Sequence, residues 1–159
     1  CMLILLSFIT VNAQEKKGLK EGDQAPTFKY LDINGKEVSL SDLKGKYVYI
    51  DVWATWCGPC QYELPHLKEL EKKMHGKKIV FVSISCDKDK AAWEKMVKEQ
   101  GLGGVQLHNG GDREFMTAFG IRGIPRFILL DKKGKIVNPN MTRPSNPETE
   151  KTLKALKGI

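Results

Sequence analysis

Two cysteines separated by Gly-Pro, Cys57-Gly58-Pro59-Cys60, stand where one kind of hydrophobic pattern ends and another begins, and that junction constrains the fold most. Before it, Tyr47-Val48-Tyr49-Ile50-Asp51-Val52 is rich in β-branched and aromatic residues and reads as a buried strand. After it, Leu64, Leu67, Leu70 and Met74 recur at spacings of three and four, which predicts a helix over 61–74 with one buried stripe. The cysteines therefore fall at the first turn of a helix. Pro59 is tolerated there because its missing N–H would have had no intrahelical partner.

At a helix N-terminus the unpaired backbone N–H groups and the positive end of the macrodipole favour a thiolate at Cys57. Thiolate population alone gives little speed. Lowering a thiol pKa from about 8.5 to about 7 raises the thiolate fraction at neutral pH roughly fifteen-fold, and a Brønsted slope of about 0.4–0.5 takes back about five-fold. What the motif adds is a second sulfur, Cys60, close enough to displace whatever becomes attached to Cys57. The pair reads first as a reversible dithiol/disulfide. Half of a structural zinc site is the competing reading, but zinc wants four ligands, and Cys86, His66, His75 and His108 lack ligand spacing.

The 159 residues suffice for one domain with its own core and no disulfide staples. A net charge of +7, from 26 Lys and Arg against 19 Asp and Glu, is spread along the chain. With no basic block and no basic-aromatic interleaving, it predicts a solvated surface, not a nucleic-acid partner. Residues 3–11 form an apolar run too short to span a bilayer but suited to the core of a signal peptide. Val11-Asn12-Ala13 then offers small residues for cleavage, so residues 1–13 are expected to be a partial signal peptide and 14–159 the domain. Lipidation of Cys1 is the alternative. Export changes what the cysteines mean, because disulfides persist outside the cytosol and a dithiol kept reduced there must be supplied with electrons. Three cysteines follow the leader, an odd number.

Along the chain, residues 28–32 and 36–40 flank Asn34-Gly35, a strong hairpin signal. Residues 41–43 give a short helical turn. A second apolar strand over 78–85 is reached through the helix, so it should lie parallel to the first by a right-handed crossover. Residues 91–100 predict a helix stopped by Gly101, 105–108 a short strand, and 113–119 a short helix with Asp112 as N-cap. Residues 126–130 and 135–137 flank Asp131-Lys132-Lys133-Gly134 as a second hairpin, and Asn146-Pro147-Glu148 opens a terminal helix. No repeat or linker divides the chain.

The Trp-Cys-Gly-Pro-Cys segment resembles the active site of the thioredoxin superfamily. The run from Gly22 to Pro125 resembles its exported TlpA/ResA-like branch, through Ala25-Pro26-Thr27-Phe28, Asn34-Gly35-Lys36, residues 40–46, Glu63 with Pro65, and Gly123-Ile124-Pro125. The resemblance implies an α/β, thioredoxin-like fold: a central mixed β-sheet flanked by helices, with an N-terminal β-hairpin and a central helix-strand insertion around residues 91–108. It implies a monomeric thiol-disulfide oxidoreductase in a Gram-negative periplasm, possessing no metal or organic cofactor. Its partners would be protein disulfides or thiols, cytochrome-maturation thiols among them, and a membrane electron donor of thiol-disulfide type.

The resemblance also assigns roles. Cys57 would be the attacking sulfur and Cys60 the resolving one. Asp51 matches the buried acid of thioredoxin; burial would raise its pKa and make it a base or proton store for Cys60. Ile124-Pro125 would be cis and lie against the disulfide, with Trp56, Gly123 and Ile124 as the apolar surface that docks substrate. Glu63 is explained equally by a solvated helix face, and Cys86 reads as a buried, inert thiol at a strand end. The histidines read as surface or satisfied core residues. Two other functions fit the pattern: a thiol peroxidase, whose Thr three residues before the reactive Cys is here Ala54, and a binding module with a structural disulfide.

Overall fold

The computed structural model describes residues 18–159, so the expected leader lies outside the described residues. Among these residues, two hairpins and a parallel three-strand centre form one sheet, accompanied by four α-helices. Strands β1 (Lys29–Asp32) and β2 (Glu37–Ser39) form the first hairpin, with Gly35 supplying a positive φ of 79° in the turn. A 3-10 turn over Leu40–Leu43 leads to β3 (Tyr47–Trp53). Helix α1 (Gly58–Lys73), β4 (Ile79–Ser85), α2 (Lys90–Glu99), β5 (Val105–His108) and α3 (Arg113–Ala118) follow. The second hairpin, β6 (Arg126–Leu130) with β7 (Ile136–Asn138), precedes α4 (Pro147–Lys154).

The sheet order is β2-β1-β5-β4-β3-β6-β7. β3, β4 and β5 run parallel, while β6 lies antiparallel to β3 on one side and β1 antiparallel to β5 on the other. The N-terminal hairpin is therefore not an appendage. Leu31 pairs with His108 and Asp32 with Leu107, so the hairpin extends the main sheet through the inserted strand.

Every residue of β3 is buried, and its alternation feeds both faces of the sheet. Val48, Ile50 and Val52 pack with Val82, Ile84, Ile128, Phe115 of α3 and Phe119 at its C-cap. Tyr49 packs on the opposite face with Leu67 and Leu70 of α1, Met74 at its C-cap, and Leu153 of α4. Asp51 and Trp53 continue that second row, so the acid points to the α1 side of the sheet.

Helix ends follow the expected chemistry. Asp112 accepts the Glu114 N–H at 2.7 Å and also the Tyr30 hydroxyl at 2.7 Å, and Asn146 accepts the Glu148 N–H at 2.9 Å. Helix α1 starts three residues earlier than its apolar stripe predicts, because Cys57 itself is the N-cap. Among the described residues no helix is long and apolar enough to cross a membrane.

Candidate active site

The turn from β3 into α1 carries the cysteines. Cys57 and Cys60 are joined by a disulfide with their Cα atoms 5.2 Å apart. Cys57 Sγ accepts the Cys60 N–H at 3.2 Å, so one of the helix's unpaired donors is aimed at that sulfur. Both cysteines are buried and pack with Trp53, Ala54, Trp93 and Val97, with Ile124 against the same cluster. Cys57 sits at the edge of this cluster, flanked by exposed Trp56, Gly58 and Pro59. Cys60 is buried in the first turn of the helix, one turn from buried Leu64.

Of the other residues singled out from the sequence, Trp56 is 70 % exposed, which removes the alternative of core packing. Gly123 is exposed, Ile124 and Pro125 are half-buried, and the Ile124–Pro125 peptide is cis. Asp51 is buried, 4 % exposed, with Ser83 across the strand as its partner, Oγ to Oδ2 at 3.4 Å. Burial pushes its carboxyl up to about 7; Ser83 pulls the other way, and Glu63 and Glu71 add to the rise.

Two buried carboxylates brace the site: Asp87, which the sequence did not mark, and Glu63, which it marked only as a residue of the family pattern. Asp87, 2 % exposed just beyond β4, accepts the Thr55 N–H at 3.0 Å, the Thr55 hydroxyl at 2.7 Å and the Ser85 hydroxyl at 2.6 Å. Gln61 Nε2 holds the carbonyl of the same threonine from the first turn of α1. Thr55 is thus fixed from both sides, and the Trp56-Cys57 backbone with it. Asp87→Ala leaves three donors without their acceptor and is expected to lower the unfolding free energy by about 2–4 kcal/mol. Denaturant titration of the oxidised protein measures this; an unchanged midpoint would mean that Gln61 alone holds the turn.

Glu63 corrects the reading of a solvated helix face. It is 3 % exposed and accepts the Ser145 N–H at 2.9 Å and the Ser145 hydroxyl at 2.8 Å, tying α1 to the loop before α4. Cys86 is half-buried; its thiol donates to the Trp53 carbonyl at 3.3 Å, and burial, then Asp87, push its pKa up. A thiol so held is a poor nucleophile at neutral pH. His108 stacks on Trp93 with centroids 5.1 Å apart. Among the described residues no three His, Cys, Asp or Glu side chains gather as a metal ion would require.

A parallel three-strand core with a Cys-x-x-Cys disulfide at the leading end of the first helix, packed near a cis-proline loop, defines a thioredoxin-like dithiol/disulfide protein. The Redoxin family model matches residues 20–156. The thiol-disulfide oxidoreductase ResA of Bacillus anthracis is 32 % identical over 143 residues, 89 % of this chain and 82 % of that protein. The crystal structure of the thioredoxin domain of a Bacteroides vulgatus thiol-disulfide oxidoreductase superposes with a TM-score of 0.79 at 30 % identity, covering 86 % of this chain and 97 % of the other. A solution structure from Bacteroides vulgatus, provisionally assigned the same activity, is 67 % identical with a TM-score of 0.74, covering 79 % and 83 %. The chain belongs to the Redoxin family, in the TlpA/ResA-like branch of the thioredoxin superfamily, and is a thioredoxin-like oxidoreductase.

Proposed function

We propose that the protein reduces disulfides in other proteins through Cys57 and Cys60. The observation that carries this reading is the Cys57 sulfur at the N-cap of α1, accepting the Cys60 N–H. In the dithiol form the Cys57 thiolate attacks one sulfur of the substrate disulfide. A Cys57–substrate bond forms and the first substrate thiolate leaves. Cys60, its proton passed to Asp51, then attacks the Cys57 sulfur, and the second substrate thiolate leaves as the Cys57–Cys60 disulfide closes. Two electrons move from the protein to the substrate, and a dithiol donor restores the reduced pair.

Trp56, Gly123, Ile124 and Pro125 are assigned to docking. Trp56 offers a large exposed ring beside the sulfurs, and the cis-proline loop offers backbone for an extended segment. An exported, periplasmic monomer fed by a membrane thiol donor fits the leader-like residues 1–13 and the ResA-type relatives.

The test is insulin reduction by the dithiol form, followed with Cys60→Ser. That variant keeps the attacking sulfur and lacks the resolving one, so it is expected to accumulate a covalent adduct with insulin that dithiothreitol releases. Free turnover by Cys60→Ser would show that an external thiol resolves the intermediate and would take that role from Cys60.

A further inference from the structure

Three segments meet around the cis-proline: residues 54–62, which hold the disulfide, 120–127, whose Ile124 packs against the disulfide cluster, and 138–147, which lead from β7 into α4 and line a cleft with Pro125. None contains an Asp, Glu or Lys. Their only charged residues are Arg122, Arg126 and Arg143, three of the four arginines in a chain whose other cations are lysines. An even scatter of 26 cations and 19 anions would not leave these three segments without a single acid or lysine; the buried acids Glu63 and Asp87 lie outside them.

The surroundings of these arginines are built. Arg126 Nη1 donates to the Pro139 carbonyl at 3.3 Å and so ties β6 to the start of the 138–147 segment. Glu63, one turn beyond Cys60 on α1, ties the other end of that segment through Ser145. Between the two ties lies an open cleft of about 560 Å³ lined by Pro125, Phe127, Asn140, Thr142 and Arg143. The Arg143 guanidinium is half exposed and reaches Glu63 Oε1 only at 3.9 Å, while that carboxylate is already engaged by Ser145. Arg122 is exposed and makes no ion pair among the described residues. Arg126 likewise makes no ion pair among the described residues, so Glu63 beside Arg143 is the one acid paired with these three arginines there and a net positive charge remains.

We propose that this cleft selects disulfide-bearing protein segments rich in Asp and Glu, with Arg143 and Arg122 receiving substrate carboxylates beside Pro125. The inference rests on the oxidoreductase reading and adds to it the chemical class of the substrate. A guanidinium presents paired donors in a plane that matches a carboxylate and is more weakly hydrated than an ammonium, so arginine at every charged position is the composition that carboxylate recognition favours. A like-signed cleft also focuses its field and raises the encounter rate with an acidic segment while slowing a basic one.

Two synthetic peptides of equal length test this, each closed by one intramolecular disulfide, one flanked by Asp and Glu and the other by Lys. Neutral hydroxyethyl disulfide is the third substrate. At about 0.01 M ionic strength, where charges act over about 30 Å, the reduced protein is expected to reduce the acidic peptide about tenfold faster than the basic one. At about 1 M salt the two rates converge. Arg122→Gln and Arg143→Gln each lower the acidic-peptide rate through KM, and together bring the two peptides to within about twofold. Arg143→Lys keeps the charge without the fork and recovers part of the loss; Arg122, exposed and outside the Ser145 tie, reports even if the Arg143 variants loosen the loop. Equal peptide rates at low salt, or a preference that survives the double substitution, overturn the acidic preference alone. Failure to reduce all three substrates overturns the oxidoreductase reading and this inference with it.

Discussion

Cys57→Ser is expected to reduce insulin no faster than buffer, a loss of at least about a thousandfold, because a serine hydroxyl is not ionised at neutral pH and cannot exchange with a disulfide. The structure shows why neither remaining sulfur substitutes for it. Cys60 is buried behind the first turn of α1, with only 2 % of its surface exposed. Cys86 donates its proton to the Trp53 carbonyl, and burial holds its thiol above the usual range. The variant should still fold, since the helix start is also secured by Asp87 and Gln61 acting on Thr55. Circular dichroism checks the fold and a turbidity assay the activity. A residual rate near one tenth of the parent would move the nucleophile to one of the other two sulfurs.

Much of this site was legible because its parts are local. The β-branched run, the Cys-x-x-Cys and the leucine stripe lie within about thirty residues, and period and spacing place them on strand, turn and helix. Asp51 could be singled out for the same reason: an acid inside an apolar strand has few outcomes besides burial. The hairpin turns and the caps at Asp112 and Asn146 likewise depend on neighbours only a few residues away.

What stayed hidden depends on residues far apart in sequence. Glu63 looks like any helix-surface acid until Ser145, 82 residues later, closes on it. Asp87 meets Thr55 only because β3 and β4 align with Trp53 opposite Ser85, which brings both strand ends to one edge. Polar residues just beyond two neighbouring parallel strands were the available clue. The pairing of the N-terminal hairpin with β5 is another such case, since alternation specifies which face is buried but not which edge is joined. The cis state of Ile124–Pro125 follows from no local rule; only the family resemblance pointed to it.

The buried acid of β3 should tie stability to pH in a direction opposite to that of most carboxylates. Asp51 is held at about 7 when folded against an ordinary value of 3.8, so between those limits the folded chain keeps a proton that the unfolded chain has released. Stability is unaffected by this group below about pH 4, falls as pH rises, and carries the whole penalty above about pH 7. Three pH units correspond to about 4 kcal/mol as an order of magnitude. Asp51→Asn removes the charge and keeps the shape. Glu71, likewise raised by burial to about 7, remains in both proteins and largely drops out of their difference. Urea titrations of the two oxidised proteins should therefore diverge from pH 4 to pH 8, with the asparagine form gaining by about 4 kcal/mol. The same substitution removes the proton acceptor assigned to Cys60, so it should slow release of the mixed disulfide more than its formation. Parallel stability curves would put the Asp51 charge in contact with water, and equal slowing of both steps would take the residue out of the exchange; divergence in both measurements would mean that the protein gives up stability at neutral pH to keep a proton acceptor for its resolving sulfur.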